Sequence, residues 1–411
     1  MEDSFFSMAR PKLNQVINNS LFIRKSFAEI ATYECQINLG FIQFIDSRLT
    51  CNGDSNNKVN LNADASVTVT GQTNLYNFYF NAYSAADFKF HLDNVHVYDI
   101  EKPIFVEGSG TINFYFKGTC FFNSSSRTPA ISCNSNSAVL VFHSDDDGLL
   151  VARGTDDCPG IGAYNSYTCN KLVFHNARVI AIGGNCAAGI GTGKTGIVNI
   201  IEIQGGSTTG YGGFKGAGIG TGNSDTYYQS YVGQITITGG NVTAYGGQEG
   251  AGIGSGYGEH EKCSQVGDIY ISGGIILAYG GFQSAGIGGG GGTEHGNENS
   301  YAGKVNSITI TKTITKLIAY SPLSIKSSIG RGNSASKTET ITIFGVSFGT
   351  DVIPELTDYN FSCHADRKIC GYPDYIYPDE PLSTAFFSIV YNKNPFSIIF
   401  EYVFLQNFLI E

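Results

Sequence analysis

The sequence predicts an all-β protein built as a parallel β-helix, and three observations lead to this fold class. A unit of 20 residues occurs four times, at 172–191, 201–220, 235–254 and 269–288. Within each unit, apolar and polar residues alternate in short runs, which is the period of a β-strand. Glycine pairs interrupt these runs, and glycine is abundant at 53 of 411 residues. A constant unit with variable joints indicates a solenoid, whose coils bury their apolar faces against neighbouring coils.

The unit at 235–254 indicates how one coil is built. Alternation gives two strands with an inner apolar row and an outer row that ends at Tyr245. The inner row consists of Ile235, Ile237, Val242 and Ala244. Gly239-Gly240 and Gly246-Gly247 predict corners, because glycine adopts backbone conformations that a sharp turn requires. A closing Ala-Gly-Ile-Gly run predicts a third strand, so the unit forms one triangular coil, stacked on the next at roughly 4.8 Å.

The order of these patterns divides the chain into four segments. Residues 1–27 are predicted to be a polar leader, and 28–155 contain β runs between Asn, Asp and Ser turns, which predict less regular coils. Residues 156–350 contain the regular glycine-rich coils. Residues 351–411 are rich in proline and are predicted to be a C-terminal cap or extension, because the open end of a solenoid exposes an apolar cross-section and unpaired strand edges that need a cap.

Charge and hydropathy restrict the partners that the chain is expected to have. Its net charge is −10, from 25 basic and 35 acidic residues, which argues against nucleic acid as a partner. The apolar stretch at 396–410 contains Glu401 and Asn407 and is shorter than the roughly 20 residues of a membrane span. We therefore expect no membrane span. The first residues lack the basic start and apolar core of a secretory signal.

The ten cysteines do not form the Cys-x-x-Cys pairs of a zinc site. Three pairs are close in sequence: Cys120 with Cys133, Cys158 with Cys169, and Cys363 with Cys370. Each pair could form a disulfide across a loop in an oxidising compartment. Buried free thiols explain the same residues equally well, so both alternatives stay open.

The consensus of the repeats, G-x-I-T-I-x-G-G-x-V-T-A-Y-G-G-x-x-G-A-G-I-G-x-G, resembles a known class of repeat. It is similar to the glycine-rich arrays of bacterial and protist cell-surface proteins of the parallel β-helix, pectate-lyase-like, carbohydrate-binding type. The resemblance is strong over residues 156–332. It implies a right-handed β-helix, an extracellular or cell-surface location, and a role in glycan binding or adhesion. It carries over no catalytic residue.

Outward-facing tyrosines are the predicted ligand-binding residues. Tyr211, Tyr245 and Tyr279 occupy one position of successive units, so stacked coils would place them in a column. Tyrosine can bind sugar rings through its apolar face and its hydroxyl. The alternative is that the tyrosines shield the glycine corners and stack on one another. The loops between coils add three further candidates, Tyr227, Tyr228 and Tyr257.

Acidic and histidine residues offer weaker candidates for chemistry. Glu259-His260 and Glu294-His295 lie in successive joints and could bind calcium or zinc, although solvated loop charges explain them too. The acidic clusters at 145–147 and 156–157 are interpreted as turn residues. The Gly193-Lys194-Thr195 run is interpreted as part of the repeat and not as a phosphate-binding loop. We expect no cofactor, with calcium as the one candidate.

These observations predict a non-enzymatic surface or secreted β-helix that binds glycans or mediates adhesion. The expected partner is a polysaccharide or a host or cell-surface glycan. The alternatives are a pectate-lyase-like polysaccharide lyase or glycoside hydrolase, and a structural spacer. No catalytic residues are predicted, because the acids and arginines do not form a recognisable catalytic set. The fold alone does not separate these alternatives.

Overall fold

The structure is a computed structural model of the chain. It describes strands at residues 22–26, 33–36, 42–45, 58–59, 66–73 and 78–82, and then residues 87–348 except 225–227, 259–263, 294–300, 322–327 and 333–336. The predicted cap at 351–411 lies outside the described residues, as does most of the predicted leader at 1–27.

Every regular element of the described part of the chain is a β-strand. In chain order these are β1 Phe22–Ser26, β2 Tyr33–Gln36, β3 Ile42–Ile45, β4 Lys58–Val59, β5 Ser66–Thr73, β6 Phe78–Ala82, β7 Asp87–Ile100, β8 Ile104–Lys117, β9 Thr119–Ser124, β10 Ile131–Ser144, β11 Leu149–Arg153, β12 Ile161–Ala163, β13 Thr168–Phe174, β14 Ala177–Ile182, β15 Ile190–Thr192 and β16 Ile197–Ile203. They continue with β17 Gly206–Tyr211, β18 Ile219–Gly220, β19 Tyr231–Ile237, β20 Asn241–Tyr245, β21 Ile253–Gly254, β22 Gln265–Ile271, β23 Ile275–Tyr279, β24 Ile287–Gly288, β25 Gly292–Thr293, β26 Tyr301–Ala302, β27 Lys304–Ile310, β28 Lys316–Tyr320, β29 Ile329–Gly330, β30 Lys337–Ile343 and β31 Val346–Phe348. None of the described elements is a helix that is long and apolar enough to cross a membrane.

The strands form three parallel sheets, and each coil contributes one strand to each sheet. Sheet A contains β13, β16, β19, β22, β27 and β30; sheet B contains β14, β17, β20, β23 and β28; sheet C contains β15, β18, β21, β24 and β29. Earlier in the chain, β8 and β10 each run from sheet C into sheet A, and they pair in parallel along their length. The predicted parallel β-solenoid with three strands per coil is therefore confirmed.

Three antiparallel pairings lie at the ends of this array. Strand β1 falls in the stretch predicted as the leader and pairs antiparallel with both β2 and β5, and β31 pairs antiparallel with β30.

The core is a set of side-chain ladders that run along the solenoid. In sheet A, the inward positions of successive coils are filled by isoleucines that are at most 2 % exposed, namely Ile201, Ile235, Ile269, Ile308 and Ile341. The neighbouring inward ladder, which contains Ile203 and Ile237 in the regular coils, consists of phenylalanines in the earlier coils. The ring centroids of Phe114 and Phe142 are 5.7 Å apart, and those of Phe142 and Phe174 are 4.9 Å apart. Alternation in the sequence thus places the apolar side chains where adjacent coils bury them.

Sheet C depends on glycine at one position of every coil. Gly191, Gly220, Gly254 and Gly288 have φ values of 129°, 141°, 143° and 137°. A Cβ atom at each of these glycines would collide with the carbonyl oxygen of the glycine in the next coil. Glycine is required here because other residues rarely adopt this φ and because the coils approach each other so closely.

Buried hydroxyl groups join the loops between coils to sheet C. Thr192 Oγ1 lies 2.5 Å from Ser230 Oγ and accepts a hydrogen bond from the Gly222 backbone N–H at 3.0 Å. One coil later, Thr221 repeats both interactions, with Ser264 and with the Gly256 N–H. The loops between coils therefore begin and end on hydrogen-bonded polar side chains, as buried hydroxyls require.

One disulfide connects two adjacent coils within the core. Cys133 of β10 and Cys169 of β13 are bonded, with their Cα atoms 5.2 Å apart, and both are fully buried. The sequence-based pairings of Cys120 with Cys133 and of Cys158 with Cys169 are therefore wrong, and Cys120 and Cys158 are buried free thiols. Residues about one coil apart in sequence are neighbours in a solenoid, whereas residues 11 or 13 apart lie on different sides of a coil. The pair Cys363 and Cys370 lies outside the described residues.

Loss of this disulfide is expected to lower the free energy of unfolding by about 3–4 kcal/mol, because it closes a loop of 36 residues in the unfolded chain. The measurement is urea denaturation of the wild type with and without reductant, and of the Cys133→Ala, Cys169→Ala double variant. The double variant should unfold at the same urea concentration with or without reductant. Equal midpoints for the oxidised and reduced wild type would contradict the expectation.

Candidate functional site

The predicted tyrosine column is present on the outer side of sheet B. Tyr211, Tyr245 and Tyr279 are the last residues of β17, β20 and β23, and they pair in register. The ring centroids of Tyr211 and Tyr245 are 5.0 Å apart at an interplanar angle of 8°, and those of Tyr245 and Tyr279 are 5.0 Å apart at 18°. Both faces of the Tyr245 ring are thus covered by its neighbours, and burial raises the pKa of its hydroxyl. A ligand of this central tyrosine would bind at the ring edge and the hydroxyl.

Two exposed phenylalanines lie on the corner that follows the tyrosine column. Phe214 comes three residues after Tyr211 and is 45 % exposed, and Phe282 comes three residues after Tyr279 and is 46 % exposed. Gln248 occupies the same position in the coil between them, since the Phe214 carbonyl accepts from Glu249 N–H at 2.9 Å. We call Tyr211, Phe214, Tyr245, Tyr279 and Phe282 the aromatic corner.

The two phenylalanines were not among the residues predicted from the sequence. The sequence does contain a signal for these two residues, because each follows a glycine pair in the repeat, as Gly-Gly-Phe.

The three loop tyrosines have different surroundings. Tyr228 is 58 % exposed, whereas Tyr257 is only 8 % exposed. The Lys215 ammonium lies 4.6 Å from the centroid of the Tyr257 ring, in a cation–π contact. Tyr227 lies outside the described residues. Of the two that the structure describes, Tyr228 therefore presents more surface to solvent, and the Tyr257 ring packs against its own chain.

The predicted metal candidates Glu259, His260, Glu294 and His295 lie outside the described residues. Over the part of the chain that the structure does describe, no group of three or more His, Cys, Asp or Glu side chains is arranged to hold a metal ion.

The acidic clusters form turns and individual ion pairs. Asp146 and Asp156 have φ values of 52° and 44°, a conformation that Asp tolerates in turns. Asp147 lies 3.7 Å from Arg178, and Asp156 lies 3.6 Å from Arg127. These distances describe surface ion pairs, which stabilise a protein by at most about 1 kcal/mol. The geometry agrees with the interpretation of both clusters as turn residues.

The Gly193-Lys194-Thr195 run lies between strands β15 and β16. A phosphate-binding loop would lead into a helix N-terminus. Here a strand follows instead, which agrees with its interpretation as part of the repeat.

A ladder of imidazole and phenol rings on the outer side of sheet A was not predicted. His91 stacks on Tyr115 with centroids 4.6 Å apart, and Tyr115 stacks on His143 at 4.4 Å. The His143 and His175 rings follow at 5.2 Å with planes inclined by 65°. We call these four residues the imidazole ladder. Its sequence signal is that each ring follows a core phenylalanine, at Phe90, Phe114, Phe142 and Phe174.

Each imidazole of the ladder contacts an oxygen acceptor of another coil. The contacts are His91 Nδ1 to Asp145 Oδ2 at 3.3 Å, His143 Nε2 to Asn113 Oδ1 at 3.2 Å, and His175 Nδ1 to Gln204 Oε1 at 2.5 Å. Burial is the main cause that lowers the pKa of His143, and the neighbouring His175 lowers it further.

A separate, partly buried histidine, His96 in β7, is expected to make stability depend on pH. Its Nε2–H donates to the Thr119 carbonyl at 2.9 Å, and its Nδ1 accepts from the Tyr98 hydroxyl at 2.9 Å. Burial lowers the pKa of His96 below its ordinary value of 6.5. Below that value the unfolded chain binds a proton that the folded chain does not, so the free energy of unfolding falls as the pH decreases.

The test compares urea midpoints at about pH 8 and about pH 5.5 for the wild type and for His96→Gln, a range in which unperturbed histidine titrates. The variant should lose less stability than the wild type over this range. An unchanged difference between the two pH values would contradict the role of His96.

Comparison with known proteins agrees with the strand pairing. A family model described as Beta helix repeat matches residues 235–257 and 269–291. These two matches are successive copies of the repeat and contain β20 with β21, and β23 with β24. No curated protein and no solved structure matches the chain. The matched repeats and the three parallel sheets define the class of the protein as a β-helix solenoid.

Proposed function

We propose that this chain is a non-enzymatic β-solenoid, secreted or at the cell surface, that binds a polysaccharide or a host or cell-surface glycan through its aromatic corner. The observation that carries the proposal is the exposure of Phe214 and Phe282 beside the stacked tyrosines. Exposed aromatic rings bind the apolar faces of sugar rings, and tyrosine hydroxyls add hydrogen bonds.

The spacing of the aromatic corner favours an extended ligand that runs along the solenoid. Phe214 and Phe282 occupy equivalent positions two coils apart, which corresponds to about 10 Å at the spacing of β-strands. Gln248 occupies the equivalent position in the coil between them and is exposed. A sugar chain laid along this corner would meet a phenyl ring, an amide and a second phenyl ring in succession. The tyrosines would contribute their hydroxyls, because stacking covers the ring faces of Tyr245.

The buried disulfide supports the proposed location. A bond between Cys133 and Cys169 forms and persists in an oxidising environment. Secretion or surface display would provide such an environment.

The test is binding of the full-length protein to a broad glycan array, with and without calcium, together with an assay for new chain ends on each bound polysaccharide. We expect saturable binding without cleavage. The Phe214→Ala, Phe282→Ala double variant should bind about tenfold more weakly or worse, as expected for two lost aromatic contacts.

Tyr270→Ala is the matched control, because Tyr270 is 38 % exposed but lies on the outer side of sheet A. It should bind within about twofold of the wild type if the aromatic corner is the site. New chain ends would instead support a lyase or hydrolase, and the absence of any binding would support a spacer. Either of these two outcomes would overturn the proposal.

Tyr245→Phe separates the hydroxyl from the ring. The variant keeps the stack with Tyr211 and Tyr279, so it should remain folded, and its urea midpoint is measured beside its affinity. Its glycan affinity should fall by about threefold to tenfold, which corresponds to the net loss of one hydrogen bond. Unchanged affinity would exclude the tyrosine hydroxyl from the site.

A further inference from the structure

Two histidines of the imidazole ladder lie side by side on adjacent coils. Phe142 and Phe174 pair in register between β10 and β13, so the residues that follow them, His143 and His175, leave the sheet next to each other. Their ring centroids are 5.2 Å apart. Two imidazoles that share one metal ion at about 2.0–2.1 Å from each nitrogen have ring centres roughly 5–6 Å apart. The separation of the two rings falls within this range.

The surroundings of His143 determine which of its nitrogens carries the lone pair. The Asn113 amide nitrogen donates to the Phe88 carbonyl at 3.2 Å and to the Asp87 carboxylate. Its oxygen is therefore directed at His143, where it accepts from Nε2–H at 3.2 Å. The neutral imidazole has one N–H, so Nδ1 of His143 carries the lone pair.

A hydrogen bond also fixes the orientation of the His175 ring, and its acceptor belongs to the following coil. The Gln204 amide nitrogen donates to Glu202 Oε1 at 2.7 Å, and its oxygen accepts from His175 Nδ1–H at 2.5 Å. Nε2 of His175 then carries the lone pair. Metal-binding histidines characteristically donate their other N–H to an oxygen acceptor, which fixes the ring and its tautomer. Both histidines meet this condition, and His175 is exposed, so an ion can reach it.

We propose that His143 and His175 form a two-imidazole site for a divalent transition-metal ion of the imidazole-binding class, Cu(II), Ni(II) or Zn(II). Water completes the coordination, because no third His, Cys, Asp or Glu joins them in the described residues. Imidazole nitrogen suits these ions, whereas calcium and magnesium prefer oxygen. The site lies on the outer side of sheet A and is independent of the proposed glycan site on sheet B.

The test is a Cu(II) titration of the full-length protein, followed by calorimetry and by electron paramagnetic resonance. The chain has seven histidines, of which His260, His295 and His364 lie outside the described residues. A background variant with these three replaced by Gln removes their contribution. In this background we expect one saturable ion per chain and a spectrum with nitrogen hyperfine splitting.

His143→Gln and His175→Gln, each made in this background, should weaken Cu(II) binding by at least about tenfold, because each removes one of two protein ligands. His96→Gln is the matched control, because both nitrogens of His96 are hydrogen-bonded to Thr119 and Tyr98. It should leave the titration unchanged. Circular dichroism and the urea midpoint establish that each variant is folded. Wild-type affinity in either ladder variant, or no saturable binding in the background protein, would overturn the proposal.

Discussion

Gly254→Ala is expected to destabilise the solenoid by about 2–6 kcal/mol. The φ of Gly254 is 143°, and forcing another residue into such a conformation costs about 1–3 kcal/mol. The added Cβ would also collide with the carbonyl oxygen of Gly288, which accepts a hydrogen bond from Ser255 N–H at 3.0 Å. Backbone displacement of this kind adds about 1–3 kcal/mol. Urea denaturation followed by circular dichroism measures the change.

Gly205→Ala provides the matched control in the same solenoid. A Cβ at Gly205 would meet its nearest neighbour, Asn176, at 3.7 Å, which is an ordinary contact, and the φ of Gly205 is not in the left-handed region. Its free energy of unfolding should change by no more than about 1 kcal/mol. If the two variants have equal stability, the close approach of the coils in sheet C does not limit what residue 254 can be.

Phe142→Ala is expected to cost about 3–5 kcal/mol, the range for removal of a buried phenyl ring. The ring is fully buried and lies between two others, with centroids 5.7 Å from Phe114 and 4.9 Å from Phe174. The substitution removes the contacts of one coil with both neighbours at once. Thermal and urea unfolding measure the loss, and Phe142→Leu should give an intermediate value because it refills part of the cavity.

Val141→Ala tests whether the cost depends on the direction of the side chain. Val141 precedes Phe142 in β10, is partly exposed, and points to the opposite face of the strand. Its loss should cost about 1 kcal/mol or less. A similar cost for both variants would show that inward and outward positions in this coil contribute equally, contrary to the core described above.

The regular coils could be predicted because their sequence and their geometry share one period. The 20-residue unit repeats the same inward isoleucines, such as Ile235 and Ile269, and the same corner glycines. The strand positions are therefore the same in each coil. The column of Tyr211, Tyr245 and Tyr279 follows from aligning the repeat units with one another.

The disulfide and the imidazole ladder could not be predicted in the same way. Both belong to coils in which strands such as β8 and β10 bend across two sheets and the register shifts, as between Asn134 and Ser137. In these coils, residues that are close in the sequence are therefore not necessarily neighbours in the structure. His143 and His175 are 32 positions apart, and only the paired strands place them together. Phe214 is marked in the sequence by its Gly-Gly-Phe pattern, but strand alternation alone does not identify it, because it lies at a corner and not in a strand.

The bond between Cys133 and Cys169 also has a mechanical consequence. A stack of coils held by hydrogen bonds unravels one coil at a time when its two ends are pulled apart. The disulfide closes a loop of 36 residues. At about 3.4 Å per residue, roughly 120 Å of chain within this loop cannot be extended by the pulling force while the bond is intact. If the protein connects a surface to a ligand, this closed loop limits the length to which the protein can be stretched before the force acts on the disulfide bond.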